Sequence, residues 1–189
     1  NIPQFLVNDV EKSIKNLLCA LKKIPPKNII GITGTNGKTS VVWNVANILF
    51  LLRKNVKSYG TLGFYNNLNK IENSILTTPE YEILYQKAFT KIKRKRYEFI
   101  FEVSSHSISK KRINNFPINI AAITNISQDH LDFHKTMSNY KQTKFKLFLD
   151  HLKNQGTAIL NDNIDGIRNL KTKLKQKKIT IITYGKKNS

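Results

Sequence analysis

The stretch Asn28-Ile29-Ile30-Gly31-Ile32-Thr33-Gly34-Thr35-Asn36-Gly37-Lys38-Thr39 decides the fold. Its first half is a short apolar run ending in glycines, the pattern of a buried strand. From Lys38 to Lys54 apolar residues recur at helical spacing through Val41, Val45, Ile48, Leu49 and Leu52. Strand, glycine loop and helix in that order form the setting in which backbone N–H groups and a helix N-terminus bind phosphate oxygens. Gly34 and Gly37 let the backbone turn and come close to an anion. Lys38 can reach terminal phosphates, and the Thr39 hydroxyl can ligate Mg²⁺. The strict spacing of a glycine, four residues and Gly-Lys-Ser/Thr is not met, because Ile32 stands where the first glycine belongs. The competing reading is a plain tight turn before a helix.

Outward from this loop, strands alternate with helices. Residues 5 to 24 carry a helical apolar stripe stopped by Pro25-Pro26. Val56 to Leu62 reads as a strand, Phe64 to Asn73 as a polar, turn-rich connection, and Glu80 to Arg96 as a helix opened by Pro79. Strands follow at 98–103 and 118–124, a helix at 136–149, a strand at 157–160, a helix at 164–173 and a strand at 179–184. The alternation predicts an α/β fold, a mostly parallel sheet flanked by helices. In such sheets ligands gather at the carboxyl ends of the strands. Gly34 to Thr39, Ser104 to His106 and Asn125 to His130 each follow a predicted strand.

Composition narrows the classes. Lys and Arg outnumber Asp and Glu by 32 to 12, a net charge of +20. That suggests nucleic-acid binding, but Lys, Asn and Ile dominate together, as in low-GC coding. The basic residues also lie on helix faces and in tails, and no ribonucleoprotein aromatic motif or zinc-ligand spacing accompanies them. The charge is read as coding bias with some benefit for anionic substrates, and no nucleic-acid partner is expected. No apolar run approaches the roughly 20 residues of a membrane span. The single Cys19 fits a reducing compartment and the core of the first helix. The chain opens at Asn1, which suggests a fragment, a processed chain or an incomplete gene.

Two further clusters carry chemistry. In Phe101-Glu102-Val103-Ser104-Ser105-His106 a carboxylate ends an apolar strand, where burial without a partner is costly. Beside a phosphate loop its partner is either Mg²⁺ or a nearby lysine. A nucleophilic serine is disfavoured, because no glycine elbow surrounds the Ser-Ser-His. In Asn125-Ile126-Ser127-Gln128-Asp129-His130-Leu131-Asp132-Phe133-His134 two histidines stand four apart. A zinc pair is conceivable, but Leu131 stands where the zinc-protease motif has glutamate.

Taken together, Thr33 to Thr39, Thr77-Thr78-Pro79, Glu102 to His106, Asn125 to His134 and Tyr140-Lys141-Gln142-Thr143-Lys144 resemble the Mur ligases. These are ATP-dependent amide-forming enzymes of peptidoglycan synthesis, whose phosphate loop is shared with folylpolyglutamate synthases and cyanophycin synthetases. The residues after Glu102 are similar to the branch that adds the third peptide residue to UDP-N-acetylmuramoyl-L-alanyl-D-glutamate. The resemblance implies an ATP loop from Gly34 through Thr35, Asn36, Gly37, Lys38 and Thr39 to Ser40. It implies one Mg²⁺ on Thr39 and Glu102, and a second on His130 and a carbamylated Lys144. Lys38, Glu102, His130 and Lys144 then carry the catalysis. Thr77, Thr78, Ser104, Lys110 and Arg112 would contact the UDP-muramyl-dipeptide, with a diamino acid, meso-diaminopimelate or L-lysine, as the second substrate. The alternatives are a folylpolyglutamate-synthase-like member of the superfamily or a nucleotide-binding module without ligase activity. Leu76 and Lys110 depart from the family, where Asn and Gln occur. The resemblance also implies that residues 1–27 are the tail of a UDP-binding domain and a linker. Residues 28–189 are then an incomplete central ATP-binding domain, with the C-terminal domain absent. A cytoplasmic monomer is expected.

Overall fold

A computed structural model describes residues 4, 6–21, 23–89 and 96–185, the side chains of Glu11, Lys15 and Cys19 excepted. Phe5, the Cys19 side chain and the Lys91–Lys95 run therefore lie outside the described residues, as does the packing expected of them. In chain order the elements are α1 (Val10–Ala20), β1 (Asn28–Thr33), α2 (Lys38–Leu51), β2 (Asn55–Gly60), β3 (Gly63–Asn66), β4 (Asn69–Glu72), α3 (Tyr81–Ala88) and β5 (Tyr97–Glu102). They continue with α4 (Ser105–Ser109), β6 (Ile118–Ile123), α5 (Leu131–His134), α6 (Met137–Lys146), a π-helical turn (Leu147–His151), β7 (Leu152–Asn161), α7 (Ile167–Gln176) and β8 (Thr180–Tyr184).

All eight strands join one sheet in the order β4-β3-β2-β5-β1-β6-β7-β8. From β2 to β8 every neighbour is parallel, and only the β2–β3 and β3–β4 pairings are antiparallel. The mostly parallel α/β sheet predicted from the alternation is therefore present. β1 lies between β5 and β6, with Ile32 opposite both Glu102 and Ala122. This register brings Gly34, Ser104 and Thr124 to one edge of the sheet, each just past the carboxyl end of its strand.

Two apolar clusters hold the helices to the sheet. On one face Val42 and Ala46 of α2 cover Ile32, Val56, Ile100 and Ala122. On the other, Phe99 and Phe101 pack with Tyr81, Tyr85, Phe89 and Phe116, and α7 adds Ile167, Leu170 and Leu174. Tyr85 and Phe89 stack with ring centroids 4.1 Å apart, and Phe116 meets Phe101 edge-on at 5.5 Å.

Several predicted elements change length. The first helix covers only Val10–Ala20. The helix expected from Glu80 to Arg96 ends at Ala88, and Phe89 is already extended at ψ 143°. Its end is set from a distance: the Tyr97 hydroxyl donates to the Ala88 carbonyl at 2.5 Å, and Phe89 turns into the aromatic cluster. The connection at 64–73 is a β-hairpin, β3–β4, closed by Asn67 and Leu68 at φ 48° and 66°. Two left-handed residues make the primed turn that suits paired strands. Leucine seldom adopts that conformation, which hides the hairpin from a sequence reading. The helix expected over 136–149 gives way at Leu147 to the π turn, whose Leu147 and Phe148 are fully buried. The strand expected at 157–160 extends over Leu152–Asn161.

Candidate functional site

The phosphate loop is pinned by hydrogen bonds from the segment after β6. Gly34 has φ +145°, and a Cβ there would stand 1.8 Å from Thr124 Oγ1. Gly37, at φ +80°, is the N-cap of α2. Thr35 N donates to the Asn125 carbonyl at 2.9 Å, and Asn36 N to Asn125 Oδ1 at 3.1 Å. The Thr124 hydroxyl and Asn125 Nδ2 donate to the Asn36 carbonyl at 2.6 and 3.0 Å. Thr35 turns inward: its hydroxyl accepts from Ser127 N at 3.0 Å and lies 3.2 Å from the Tyr140 hydroxyl. The Asn125–Ser127 segment thus acts as a splint for the loop.

Lys38 curls back, its Nζ donating to the carbonyls of Gly34 at 3.0 Å and Thr35 at 2.9 Å. Burial pushes its pKa down, against the opposing pull of Glu102 and Asp129. An ammonium has three donors, so one remains for a phosphate oxygen. Ser40 is exposed on the first turn of α2.

Glu102 is 1% exposed and is surrounded by donors rather than by a lysine. Its Oε2 accepts from the Thr39 hydroxyl at 2.9 Å, and its Oε1 from Thr61 N at 2.7 Å. The lysine salt bridge, one of the two partners open in the sequence, is not made among the described residues. Gly60 explains how a carboxylate fits here, since a Cβ at that position would lie 2.1 Å from Oε1. A buried carboxylate beside a threonine hydroxyl, at the mouth of a phosphate loop, is a hard-oxygen pair that suits Mg²⁺.

The second predicted metal position has a different character. Lys144 is 1% exposed; its Nζ donates to the Gly34 carbonyl at 2.8 Å and sits 4.5 Å from the Tyr140 ring centroid. Burial, helped by the nearby Lys38 charge, brings its pKa down to about 7. His130 lies near by, at left-handed φ 53°, with its Nε2 3.4 Å from Asp129 Oδ2. Its ring is 4.8 Å from that of His106 and 6.2 Å from that of Tyr140. An amine cannot ligate a cation as an oxygen anion does, so these residues fit a metal only if Lys144 carries a carboxyl group. The zinc alternative fails: among the described residues no three His, Cys, Asp or Glu side chains gather to hold a metal. His134 is instead buried, its Nε2 without a hydrogen bond and its pKa lowered, first by burial. His106 is lowered for the same first cause.

The predicted substrate contacts lie beside Glu102. Thr78 is 1% exposed and already committed, its hydroxyl donating to the Glu102 carbonyl at 2.8 Å and accepting from Ser104 N at 3.0 Å. Ser104 caps α4, accepting from Ser107 N at 3.1 Å. Arg112 pairs with Glu80 at 2.8 Å and donates to the Thr78 carbonyl at 3.3 Å. Thr77 is half-buried, its hydroxyl 3.3 Å from that of Thr61. Lys110 is exposed and belongs to no part of this network, although its charge reaches His106. Sequence reasoning missed Gly60 and Thr61 as site residues and gave no role to Asp129 and Tyr140 within the motifs that contain them. The signal for the first two is position, since Gly60-Thr61 close β2 at the same sheet edge as the loop.

This edge sets a glycine loop, a strand-end glutamate and a buried lysine side by side, the layout of a nucleotide-phosphate site. The model for the Mur ligase middle domain matches residues 32–189, and the chain belongs to the Mur ligase family. Among its relatives is the UDP-N-acetylmuramoyl-L-alanyl-D-glutamate–2,6-diaminopimelate ligase of Rickettsia typhi, 40% identical over 185 residues, covering 96% of this chain and 37% of the relative. The enzyme of the same name from Wigglesworthia glossinidia brevipalpis is 40% identical over 151 residues, 78% of this chain and 30% of that one. The chain thus spans less than two fifths of the length of these curated relatives. A solved structure of such a diaminopimelate ligase superposes with TM-score 0.74 at 26% identity, covering 93% of this chain and 36% of that one. A folylpolyglutamate/dihydrofolate synthase solved with Mn, AMPPNP and L-glutamate shares the fold at TM-score 0.65 and 16% identity, covering 91% of this chain and 47% of that one.

Proposed function

We propose that this chain is the ATP-binding centre of a ligase that adds 2,6-diaminopimelate to UDP-N-acetylmuramoyl-L-alanyl-D-glutamate. The carrying observation is the position of Glu102, whose carboxylate accepts from Thr39 of the phosphate loop while its carbonyl accepts from Thr78. Nucleotide and acyl substrate would thus meet at one residue. The names of the relatives support the choice of substrates.

The reaction has two steps. A substrate carboxylate oxygen attacks the γ-phosphorus of ATP; a new O–P bond forms, the β–γ bridge breaks and ADP leaves. The amine then attacks the acyl carbon, the C–N bond forms, phosphate leaves and the amine proton passes to solvent. Within the Gly34 to Ser40 loop, Gly37 and the first turn of α2 present backbone N–H groups to the phosphates, and Lys38 donates its remaining hydrogen bond to the γ-phosphate. Thr39 and Glu102 would hold one Mg²⁺, which when bound offsets phosphate charge during transfer. Near neutral pH the lowered pKa of Lys144 leaves much of it as free amine, the form that adds CO₂ and sheds a proton to become a carbamate. With His130 that carbamate would supply a second cation site. Asp129, facing Lys38 and Lys144, holds the local charge in balance. Thr77, Ser104, Lys110 and Arg112 border the acyl-substrate side, and Thr78 braces it from within. Such an enzyme works on nucleotide-linked precursors as a cytoplasmic monomer and serves cell-wall growth, cell shape and division. Among the described residues no helix is long and apolar enough to cross a membrane.

The test is ADP release by the full-length protein with muramyl-dipeptide and diaminopimelate, each omitted in turn. Release only when both are present is expected; release that ignores either one, or no release at all, overturns the reading. The isolated chain, at under two fifths of its relatives' length, should bind ATP weakly and form no amide. Amide product from the chain alone would contradict that.

A further inference from the structure

We infer that Thr61, which the family resemblance does not single out, is a positioning residue joining the acyl-substrate side of the site to the metal carboxylate. The inference rests on the ligase reading above. Thr61 follows β2, on the opposite side of β5 from the phosphate loop, and its side chain is exposed. Its backbone N–H donates to Glu102 Oε1 at 2.7 Å. Its hydroxyl lies 3.4 Å from Glu102 Oε2 and 3.3 Å from Thr77 Oγ1.

By itself the Thr61–Thr77 contact can run either way, and the bond to Glu102 is what gives it a direction. An ionised carboxylate only accepts, so the single Thr61 hydrogen goes to Glu102. Thr61 then has only lone pairs left for Thr77, and Thr77 must donate. The result is a directed chain, Thr77 to Thr61 to Glu102, 41 residues separating Thr61 from the glutamate and 16 from Thr77. Glu102 Oε2 is also the oxygen that meets Thr39. Thr61 therefore fixes the rotation of the carboxylate that faces the nucleotide. Any substrate group that takes the Thr77 hydrogen acts on the same line. Gly60 leaves the space, and Thr61 fills it with donors.

The test uses the full-length protein with Thr61→Val and Thr61→Ser, plus Thr61→Ala in case valine disturbs the loop. Calorimetry gives the Mg²⁺ half-saturation of the ADP complex, a readout independent of turnover. Losing a hydrogen bond to a carboxylate predicts a rise of about five- to ten-fold for Thr61→Val, with Thr61→Ser near wild type. ADP affinity without Mg²⁺ should stay unchanged. Thr77→Val should raise the Mg²⁺ requirement a few-fold in the wild-type background and not in the Thr61→Val background, because the line is already cut. Equal half-saturation in Thr61→Val and wild type, or additive effects of the two substitutions, overturns the inference and leaves the ligase reading standing. Wild type that binds Mg²⁺ and ADP but shows no substrate-dependent turnover defeats the ligase reading instead. Wild type whose ADP binding ignores Mg²⁺ defeats both.

Discussion

Lys144 Nζ lies 2.8 Å from the carbonyl oxygen of Gly34, a hydrogen bond that spans 110 residues of sequence. It places a fully buried lysine against the phosphate loop, with no carboxylate paired to it among the described residues. A buried amine held by a carbonyl and an aromatic ring, with no carboxylate beside it, is costly as a cation, and the lowered pKa of about 7 follows from that burial and from the Lys38 charge.

That cost sets a pH dependence. In the unfolded chain Lys144 keeps its proton up to the ordinary value of 10.5, and in the folded chain it loses it near pH 7. Between these values the unfolded state binds more protons, so this residue's contribution to stability rises with pH. Below pH 7 both states are protonated and the penalty is present in full. Lys144→Met should therefore stabilise the protein at pH 6 by about 1–3 kcal/mol and gain less at pH 9. Urea unfolding in CO₂-free buffer at both pH values checks this; equal gains at the two would be the wrong result for a titrating Lys144.

The same amine should react with CO₂. ¹³C-bicarbonate added to the protein near pH 7.5 should give a carbamate carbonyl resonance that disappears in Lys144→Arg. A resonance unchanged by that substitution would place the carbamate on another lysine.

Gly60 and Glu102 form a second tight pair. Alanine at 60 must displace the carboxylate, because its Cβ would stand 2.1 Å from Oε1 and 2.7 Å from Cγ. The φ of Gly60 is not left-handed, so the clash alone sets the cost. Gly60→Ala should destabilise by about 1–3 kcal/mol, the usual cost of overpacking. Much of that loss should return in Gly60→Ala/Glu102→Ala relative to Glu102→Ala alone. Urea unfolding of the four-protein cycle tests it, and simple additivity would exclude the clash.

Glu102→Gln keeps the shape and removes the charge. It should reduce Mg²⁺-dependent nucleotide binding by at least about ten-fold while Mg²⁺-free binding changes little. Calorimetry with and without Mg²⁺ separates the two; an equal loss in both conditions would assign Glu102 to the fold instead.

Tyr140→Phe removes a hydroxyl that lies 3.2 Å from Thr35 Oγ1. Thr35 keeps its bonds to Ser127, so the expected loss of stability is about 1 kcal/mol. Nucleotide affinity should fall with it, because Thr35 is part of the loop. An unchanged affinity would show that the Ser127 contacts suffice to hold the loop.

The sequence by itself determined the strand, loop and helix from Asn28 to Leu51, the parallel alternation, the placing of Glu102 at the end of a strand and that of His130 in the segment after one. All of these follow from local periodicity and from glycines at turns, which neighbouring residues specify. The Asn67–Leu68 hairpin and the end of α3 at Ala88 lay beyond it. The first puts leucine in a left-handed turn, and the second is set by Tyr97 from the next strand. The site's inner connections are likewise tertiary. Strand order β2-β5-β1-β6 lines up Thr61, Glu102, Gly34 and Thr124 along one sheet edge, though 27 to 90 residues separate Gly34 from Thr61 and Thr124. Without the family resemblance, the pattern around Lys144 is that of a solvated helix lysine. Only the packing of α6 against that edge buries it, and burial is what changes its charge. Local pattern thus placed the phosphate loop, while long-range packing decided which oxygens, amines and hydroxyls surround it.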